Sequence, residues 1–354
     1  MAKEASRANL LETIELQRIG FRGLGSPFYD SLGEKLATSI RADGPTWDIL
    51  APFATAPFED AYVLRLFAGV HRAALDGSAP RVAAHFPSTG GDGDAESAMR
   101  AIIELLGESP GTVQSALAVP PQTNEVGRSA SLASGLQVIA SETHLPVRLR
   151  EIGSSGGLNL RLDSYWYEQD GSGWGDQDAS VRFVDLWEGG APAFSSPEII
   201  DRRGCDRHAI DAASASGALT LLSYVWPEPR ERFIRLRNAI EIAERAPVVI
   251  DEEDAAEWLL RELAETVEGT VLVVMHSVVW QYLEKARAES IRAAIAEAGA
   301  AATPESPIAW LRLEPNPETY APAELRLSLW TGREARDLLL ATTGFHGGPI
   351  RWCR

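Results

Sequence analysis

The sequence predicts an α/β protein: a central, mainly parallel sheet of about seven strands flanked by helices, preceded by a helical N-terminal domain. Three observations lead there. From about residue 125 onward, short apolar runs alternate with amphipathic helical segments, the pattern of βαβ units. Residues 1–124 carry helical periodicity. The run V-L-V-V-M at 271–275 is apolar at every position, as in a strand covered on both faces.

In the first domain, residues 62–75 read as an amphipathic helix, with Leu64, Phe67, Ala68 and Val70 near helical spacing. Residues 98–106 read the same way. Between them, S-T-G-G-D-G-D at 88–94 is a glycine–aspartate loop. It lacks the ligand spacing and the final glutamate of a calcium-binding EF-hand, so it reads as a surface loop. In the second domain, 125–354, a helix over 127–141 leads to a strand over 147–152. Strands are expected at 181–187 and 199–202, then a helix at 231–244, a strand at 248–250 and a helix at 255–267. A strand at 270–275, a helix at 290–298 and a strand at 308–313 follow. The chain is expected to end with two strands paired to each other, 324–330 and 349–353, joined through a helix over 333–342. Residues 163–195 form an expected insertion. Its aromatics, Tyr165, Trp166, Tyr167 and Trp174, either cover a pocket or pack the insertion itself.

The 354 residues suffice for about two domains, and 45% hydrophobic residues can build a sizeable core. No apolar run reaches the ~18 residues of a membrane span. The N-terminus lacks a signal-peptide core, so a cytoplasmic location is expected. Cys205 and Cys353 are the only cysteines, too few for a disulfide framework or a Cys-based zinc site. No H-E-x-x-H pattern occurs, so no metal is indicated. A net charge of −17 disfavours nucleic acid as a partner, since such proteins present basic patches. The one basic cluster, Arg230, Arg232, Arg235 and Arg237, reads as a solvated helix face. A small-molecule substrate is expected instead.

The sharpest local signal is E-I-G-S-S-G-G-L-N-L at 151–160. An acidic residue, Glu151, closes a strand, and Gly153 permits the tight turn. Gly156 and Gly157 let the backbone approach a ligand at the next helix N-terminus. The pyrophosphate fingerprint G-x-G-x-x-G is not matched, because Ser155 stands in place of the middle glycine. The cluster Q-T-N-E-V-G-R at 122–128 places Asn124 and Arg128 before the first strand. It reads either as a helix cap joining the domains or as part of a site. The strand at 271–275 delivers His276 and Ser277 at its carboxyl end, where ligands of open α/β sheets sit. His276 is the candidate catalytic base, because an imidazole titrates near pH ~6.5. Ser277 lacks the G-x-S-x-G context of a nucleophile. His346, beside a glycine turn, is a second candidate site group.

The E-x-G-x-x-x-G form and the order of strands resemble the Rossmann-like fold of class I S-adenosylmethionine-dependent methyltransferases, over about 125–354. The resemblance implies S-adenosylmethionine as cofactor, its amino-acid part held by the loop bearing Glu151, Gly153, Ser155 and Gly157. It implies that Asp251, ending V-V-I-D, approaches the adenine, and that an acid of the second strand meets the ribose. Asp206, Asp201 and Asp185 are the candidates, with Asp206 retained in the site. It further implies that Arg128 holds a carboxylate such as that of methionine and Asn124 a backbone group. The last strand of such a sheet inserts antiparallel. The long stretch between the glycine loop and the second-strand acid departs from this family.

Nearly the whole chain also resembles a bacterial family, domain of unknown function 2332. That resemblance rests on residues 122–128, on the glycine loop running into D-S-Y at 163–165, and on R-G-C-D at 203–206. V-W-P at 225–227, His276-Ser277 and His346-Gly347 complete it. It implies no particular activity. The expected function is methyl transfer to a small molecule. The rival expectation is a non-catalytic Rossmann-like ligand-binding or regulatory protein, and a nicotinamide enzyme is disfavoured by the unmatched fingerprint.

Overall fold

The structure, a computed structural model, describes residues 2–193, 195–228 and 230–353. The chain opens with helices α1 (Ala2–Gly23), α2 (Pro27–Ile40), α3 (Pro45–Leu50), α4 (Tyr62–Leu75), α5 (Pro80–Ala83), α6 (Ala95–Glu108) and α7 (Gln114–Ala118). Next come α8 (Ser129–Thr143), β1 (Val147–Ile152), β2 (Trp166–Gln169), β3 (Ser172–Gly175), β4 (Arg182–Val184), β5 (Trp187–Glu188) and β6 (Ile199–Asp206). After α9 (Ala215–Ser223) and α10 (Arg230–Ala243) follow β7 (Val249–Glu252), α11 (Ala255–Ala264), β8 (Val271–Ser277) and α12 (Lys285–Ala300). Four strands close the chain: β9 (Ile308–Asn316), β10 (Tyr320–Trp330), β11 (Ala335–Thr343) and β12 (Ile350–Trp352). Among the described residues no helix is long and apolar enough to cross a membrane.

Two compact units result. The first comprises residues up to Thr123 together with Ala215–Ile234; the second comprises Asn124–Ser214 and Arg235–Arg354. In the first unit the predicted stripe of α4 holds: Phe67, Ala68 and Val70 are buried, and Leu64 packs against the core from its edge. Asp94 of the glycine–aspartate loop caps α6 by accepting from the Glu96 N–H. The 215–234 segment, which the sequence placed with the sheet, belongs to the helical unit. Trp226 meets Phe21 edge-on at 5.4 Å between centroids, Arg72 donates to Thr220 Oγ1 at 2.7 Å, and His71 is bonded to the Ser223 carbonyl. His71 is fully buried, which pushes its pKa down to about 4.

The second unit is built on a nine-stranded sheet of order β5-β12-β11-β10-β9-β8-β1-β6-β7. Strands β7, β6, β1, β8 and β9 are mutually parallel. The chain moves outward from β1 to β6 and β7, then returns to the far side of β1 with β8. The switch point therefore lies between β1 and β8, where ligands of such sheets bind at the carboxyl ends. Every residue of β1 and β8 is buried; the apolar run of β8 predicted a strand covered on both faces, whereas β1 buries Arg148, Arg150 and Glu151 along with its apolar residues.

The end of the chain differs from expectation. Residues 335–343 are strand β11, not a helix, and β11 lies between β10 and β12. The expected pairing of 324–330 with 349–353 is therefore absent: each pairs with β11. The strand antiparallel to β9 is β10, the next in sequence, where the methyltransferase resemblance implied the last strand. The composition of A-R-D-L-L-L-A-T-T suits a helix, but two flanking strands satisfy its backbone and override that preference. The expected strand over 181–187 is broken into β4 and β5 at Asp185, whose φ of +50° turns the chain. β2, β3 and β4 form their own small sheet, and β5 joins the large one beside β12. The insertion's aromatics pack the insertion. Tyr167 stacks on Trp174 and Phe183 at 5.4 and 5.3 Å. The Tyr165 and Tyr167 hydroxyls donate to the carbonyls of Leu158 and Leu162.

Candidate functional site

Strand register sets the carboxyl edge. Glu151 pairs with Gly204 and Met275, Ile152 with Cys205, Cys205 with Asp251, and His276 with Arg312. Glu151, Asp206, Asp251 and His276 thus stand at one edge of the sheet. They do not share a face. Side chains alternate along a strand, so Asp251 and His276 project with Ile152 toward Trp258 of α11, Ile291 of α12 and Trp310. Glu151 projects to the opposite face.

On the Glu151 side the loop is held from several directions. Ser154 Oγ donates to the Glu151 carbonyl at 2.8 Å, and its N–H donates to the Cys205 carbonyl. A Cβ on Gly204 would lie 2.1 Å from Ser154 Oγ, so the glycine in R-G-C-D is what admits this loop against β6. The Ser155 N–H donates to Asp206 Oδ2 at 2.8 Å, and the His208 N–H to Asp206 Oδ1 at 2.9 Å. Asn124 Oδ1 accepts from the Leu158 N–H, so Asn124 does hold a backbone group, one of the protein's own. Ser129 Oγ donates to Asn159 Oδ1, which leaves the Asn159 amide N–H to bond Glu151.

Glu151 is only 2% exposed, and its Oε2 has no hydrogen-bond partner; Ser155 Oγ, on a residue at φ +51°, is also buried without one. Burial, and secondarily the Asp206 charge, push the Glu151 carboxyl well above the usual carboxylate range, against the opposing pull of Asn159, Arg128 and Arg161. A buried polar atom without a partner is costly and rare, and asks for a ligand, a water or a mechanism.

The glycines have a different neighbour from the one the sequence suggested. At Gly153 (φ +68°) a Cβ would lie 2.0 Å from Val279 Cγ2, and at Gly157 (φ +64°) 2.8 Å from Ile250 Cδ1. Arg161 Nη1 donates to the Gly156 and Gly157 carbonyls. The protein's own side chains therefore press on both glycines, and the side-chain oxygens of the loop left without a partner are those of Glu151 and Ser155. Among the three second-strand acids, Asp206 alone stands at this edge. Asp201 pairs with Arg150 near the strand starts, and Asp185 lies in the turn after β4. Arg128 donates to the carbonyls of Phe345 and Ser277 at 2.9 and 3.2 Å.

On the other face, Asp251 is committed to Arg203 through two hydrogen bonds and to the Trp258 indole N–H. Arg203 holds its carboxyl below the usual range. His276 is fully buried. Its Nδ1 bonds Glu314 Oε1 at 2.6 Å and its Nε2 accepts from the Trp310 indole N–H at 3.0 Å. That donor leaves the proton on Nδ1, so the ring is a neutral, oriented imidazole with both nitrogens in use. Glu314 also accepts from the N–H groups of Val279 and Trp280. It thereby holds the turn in which Val278 sits at φ +52°, a costly state for a β-branched residue. Glu314 and Asn159 went unread in the sequence. Both sit at strand or loop ends beside residues that were read, and their partners are distant in sequence.

The fold and the edge define an α/β protein with a buried, incompletely satisfied acidic site at the end of β1. The chain belongs to the bacterial family described as "Uncharacterized protein conserved in bacteria (DUF2332)", whose model matches residues 15–352. Neither a curated protein nor a solved structure matches it.

Proposed function

We propose that the carboxyl edge of β1 and β6 binds S-adenosylmethionine and that the protein transfers its methyl group to a small molecule. The observation that carries this reading is the pair of buried, unpartnered acceptors, Glu151 Oε2 and Ser155 Oγ, beside Asp206. They suit a cationic, hydroxyl-bearing ligand. Glu151 and Ser155 would meet the ammonium group, Asp206 the ribose hydroxyls, and Arg128 the carboxylate; Asp251, on the other face and bonded to Arg203 and Trp258, would take no direct part. When bound, the cofactor supplies an electrophilic methyl group on its sulfonium. Asn159 orients Glu151, Asn124 anchors the loop, and Glu314 with His276 positions the turn after β8. A proton reaches His276 Nε2 only once the Trp310 indole N–H releases it.

A second reading, non-catalytic ligand binding at the same edge, is favoured by the commitment of both His276 nitrogens. Calorimetry separates the possibilities. Titration with S-adenosylmethionine and S-adenosylhomocysteine is expected to show saturable binding, weakened at least about tenfold by Asp206→Asn, with NAD inert. At ~100 times the dissociation constant, the ligand adds about 2.7 kcal/mol of stability. A melting temperature unmoved by either compound sinks the methyltransferase reading. Binding without methyl transfer to any acceptor favours the second.

A further inference from the structure

Three aromatic residues stand at the same carboxyl edge on the β8–β11 side. Tyr282 follows β8 and is 61% exposed; Tyr320 opens β10 beside the end of β9 and is 58% exposed. Phe345 follows β11, and its ring lies 5.2 Å from that of Tyr320 at 50°. Two exposed tyrosines beside a third ring at one sheet edge form a local aromatic patch, which is more informative than a lone exposed ring. Tyr320 also sits at φ +66°, an uncommon and costly backbone state for a bulky residue, of the kind that collects at functional sites. Its hydroxyl bonds Gln281 Oε1 at 3.2 Å, which fixes the phenol, and it feels the neighbouring Tyr282.

These rings are joined to the acidic site by one guanidinium. Arg128 holds the carbonyls of Phe345 and Ser277 while its charge acts on Glu151. The joint is rigid for a simple reason. A Cβ on Gly127 would lie 2.1 Å from the His346 carbonyl oxygen, and one on Gly347 2.2 Å from that of Gly127. Two backbones thus touch where G-R at 127–128 meets H-G at 346–347, and any side chain would part them.

We propose that the acceptor bound here is a planar aromatic molecule, stacked among Tyr282, Tyr320 and Phe345 beside the Glu151 site. The inference rests on the reading of this edge as a transferase site. Ring faces and edges attract other rings in offset and edge-on arrangements beyond what burial alone provides. Three rings suit one or two fused aromatic rings, far short of the ~800 Å² per partner of a protein interface.

The test uses the full chain, with indole and 4-methylphenol as probes and cyclohexanol as a saturated control, read by saturation-transfer NMR. S-adenosylhomocysteine is titrated separately by calorimetry. The two aromatic probes are expected to bind at least about fivefold tighter than cyclohexanol. Tyr282→Leu and Tyr320→Leu, which keep apolar bulk and remove the ring, should each weaken them about three- to tenfold and leave S-adenosylhomocysteine affinity unchanged. Tyr282 is unstrained, so its variant reads the ring even if the Tyr320 variant disturbs its turn. Cyclohexanol binding as well as indole, or indole affinity unchanged in Tyr282→Leu, overturns the aromatic site. Ring-dependent indole binding without any S-adenosylhomocysteine binding supports the aromatic site and overturns methyl transfer alone.

Discussion

Strand β1 buries three charged side chains within four residues and treats them in opposite ways. Arg148, 5% exposed, is paired with Glu265 and Asp201, and Arg150, 3% exposed, with Glu262 and Asp201. Glu151, one residue on and facing the other side, keeps an oxygen without a partner and a like charge nearby. Burying a charge is costly unless it is paired and hydrogen-bonded. The arginine side meets that condition within the protein. The glutamate side does not, and the loop that follows it adds left-handed Ser155. Compensated charge on one face and an incompletely satisfied carboxyl beside a strained loop on the other distinguish the structural side of β1 from the side where the proposed site lies.

The largest effect should come from breaking the compensated side. Arg150→Leu strands Glu262, itself buried, and is expected to cost about 3–5 kcal/mol in urea unfolding. Adding Glu262→Leu should restore most of that. A single-variant cost below about 1 kcal/mol would show that the network is not holding the fold.

At the proposed site, Gly153→Ala should cost about 2–4 kcal/mol, from the left-handed backbone and the collision with Val279. Valine at this position would be worse for the same reasons, so loss of ligand binding in such a variant would not isolate a ligand contact. If Val279 is the obstacle, Val279→Ala added to Gly153→Ala should recover about 1 kcal/mol or more relative to additivity. Additive costs would mean the backbone conformation alone is responsible.

The smallest change reverses sign. Glu151 has its folded-state pKa raised, so its stabilising contribution is full below the ordinary carboxylate range and is lost as pH rises through the raised value. Glu151→Gln should therefore match the wild type near pH 4 and melt above it at pH 8, while losing cofactor affinity. Melting curves across that range decide it. A variant less stable at pH 8 than at pH 4, relative to wild type, would mean that Glu151 is charged and compensated after all.

Much of this was legible from residue order. The alternation of β1, β7, β8 and β9 with α8, α11 and α12 follows from local periodicity, which each segment carries alone. The loop E-I-G-S-S-G-G announced a tight turn, although the helix expected after it is only a short 3-10 segment at Asn159–Ser164; Glu151 was read as an acid of the edge and Asp206 as one of three candidates beside it. Where the strands fell short of prediction, the missing information was a partner. Residues 335–343 have the composition of a helix and become a strand because β10 and β12 flank them. The 215–234 segment reads like any other helical stretch, and its place in the helical unit depends on meeting Phe21 and His71.

The same division runs through the site. That His276 ends β8 is a property of the chain's local order. That its two nitrogens are used by Glu314 and Trp310 depends on β9 lying beside β8, some thirty residues on. That position 153 is glycine could be read as a turn needing φ > 0. That Val279 presses on it requires the crossover which brings the end of β8 beside β1. Periodicity, turn chemistry and charge are set by neighbours a few residues apart, so they show in the letters. Which side chains compensate one another is set by contacts between segments far apart in the chain, and only packing them into one sheet determines it.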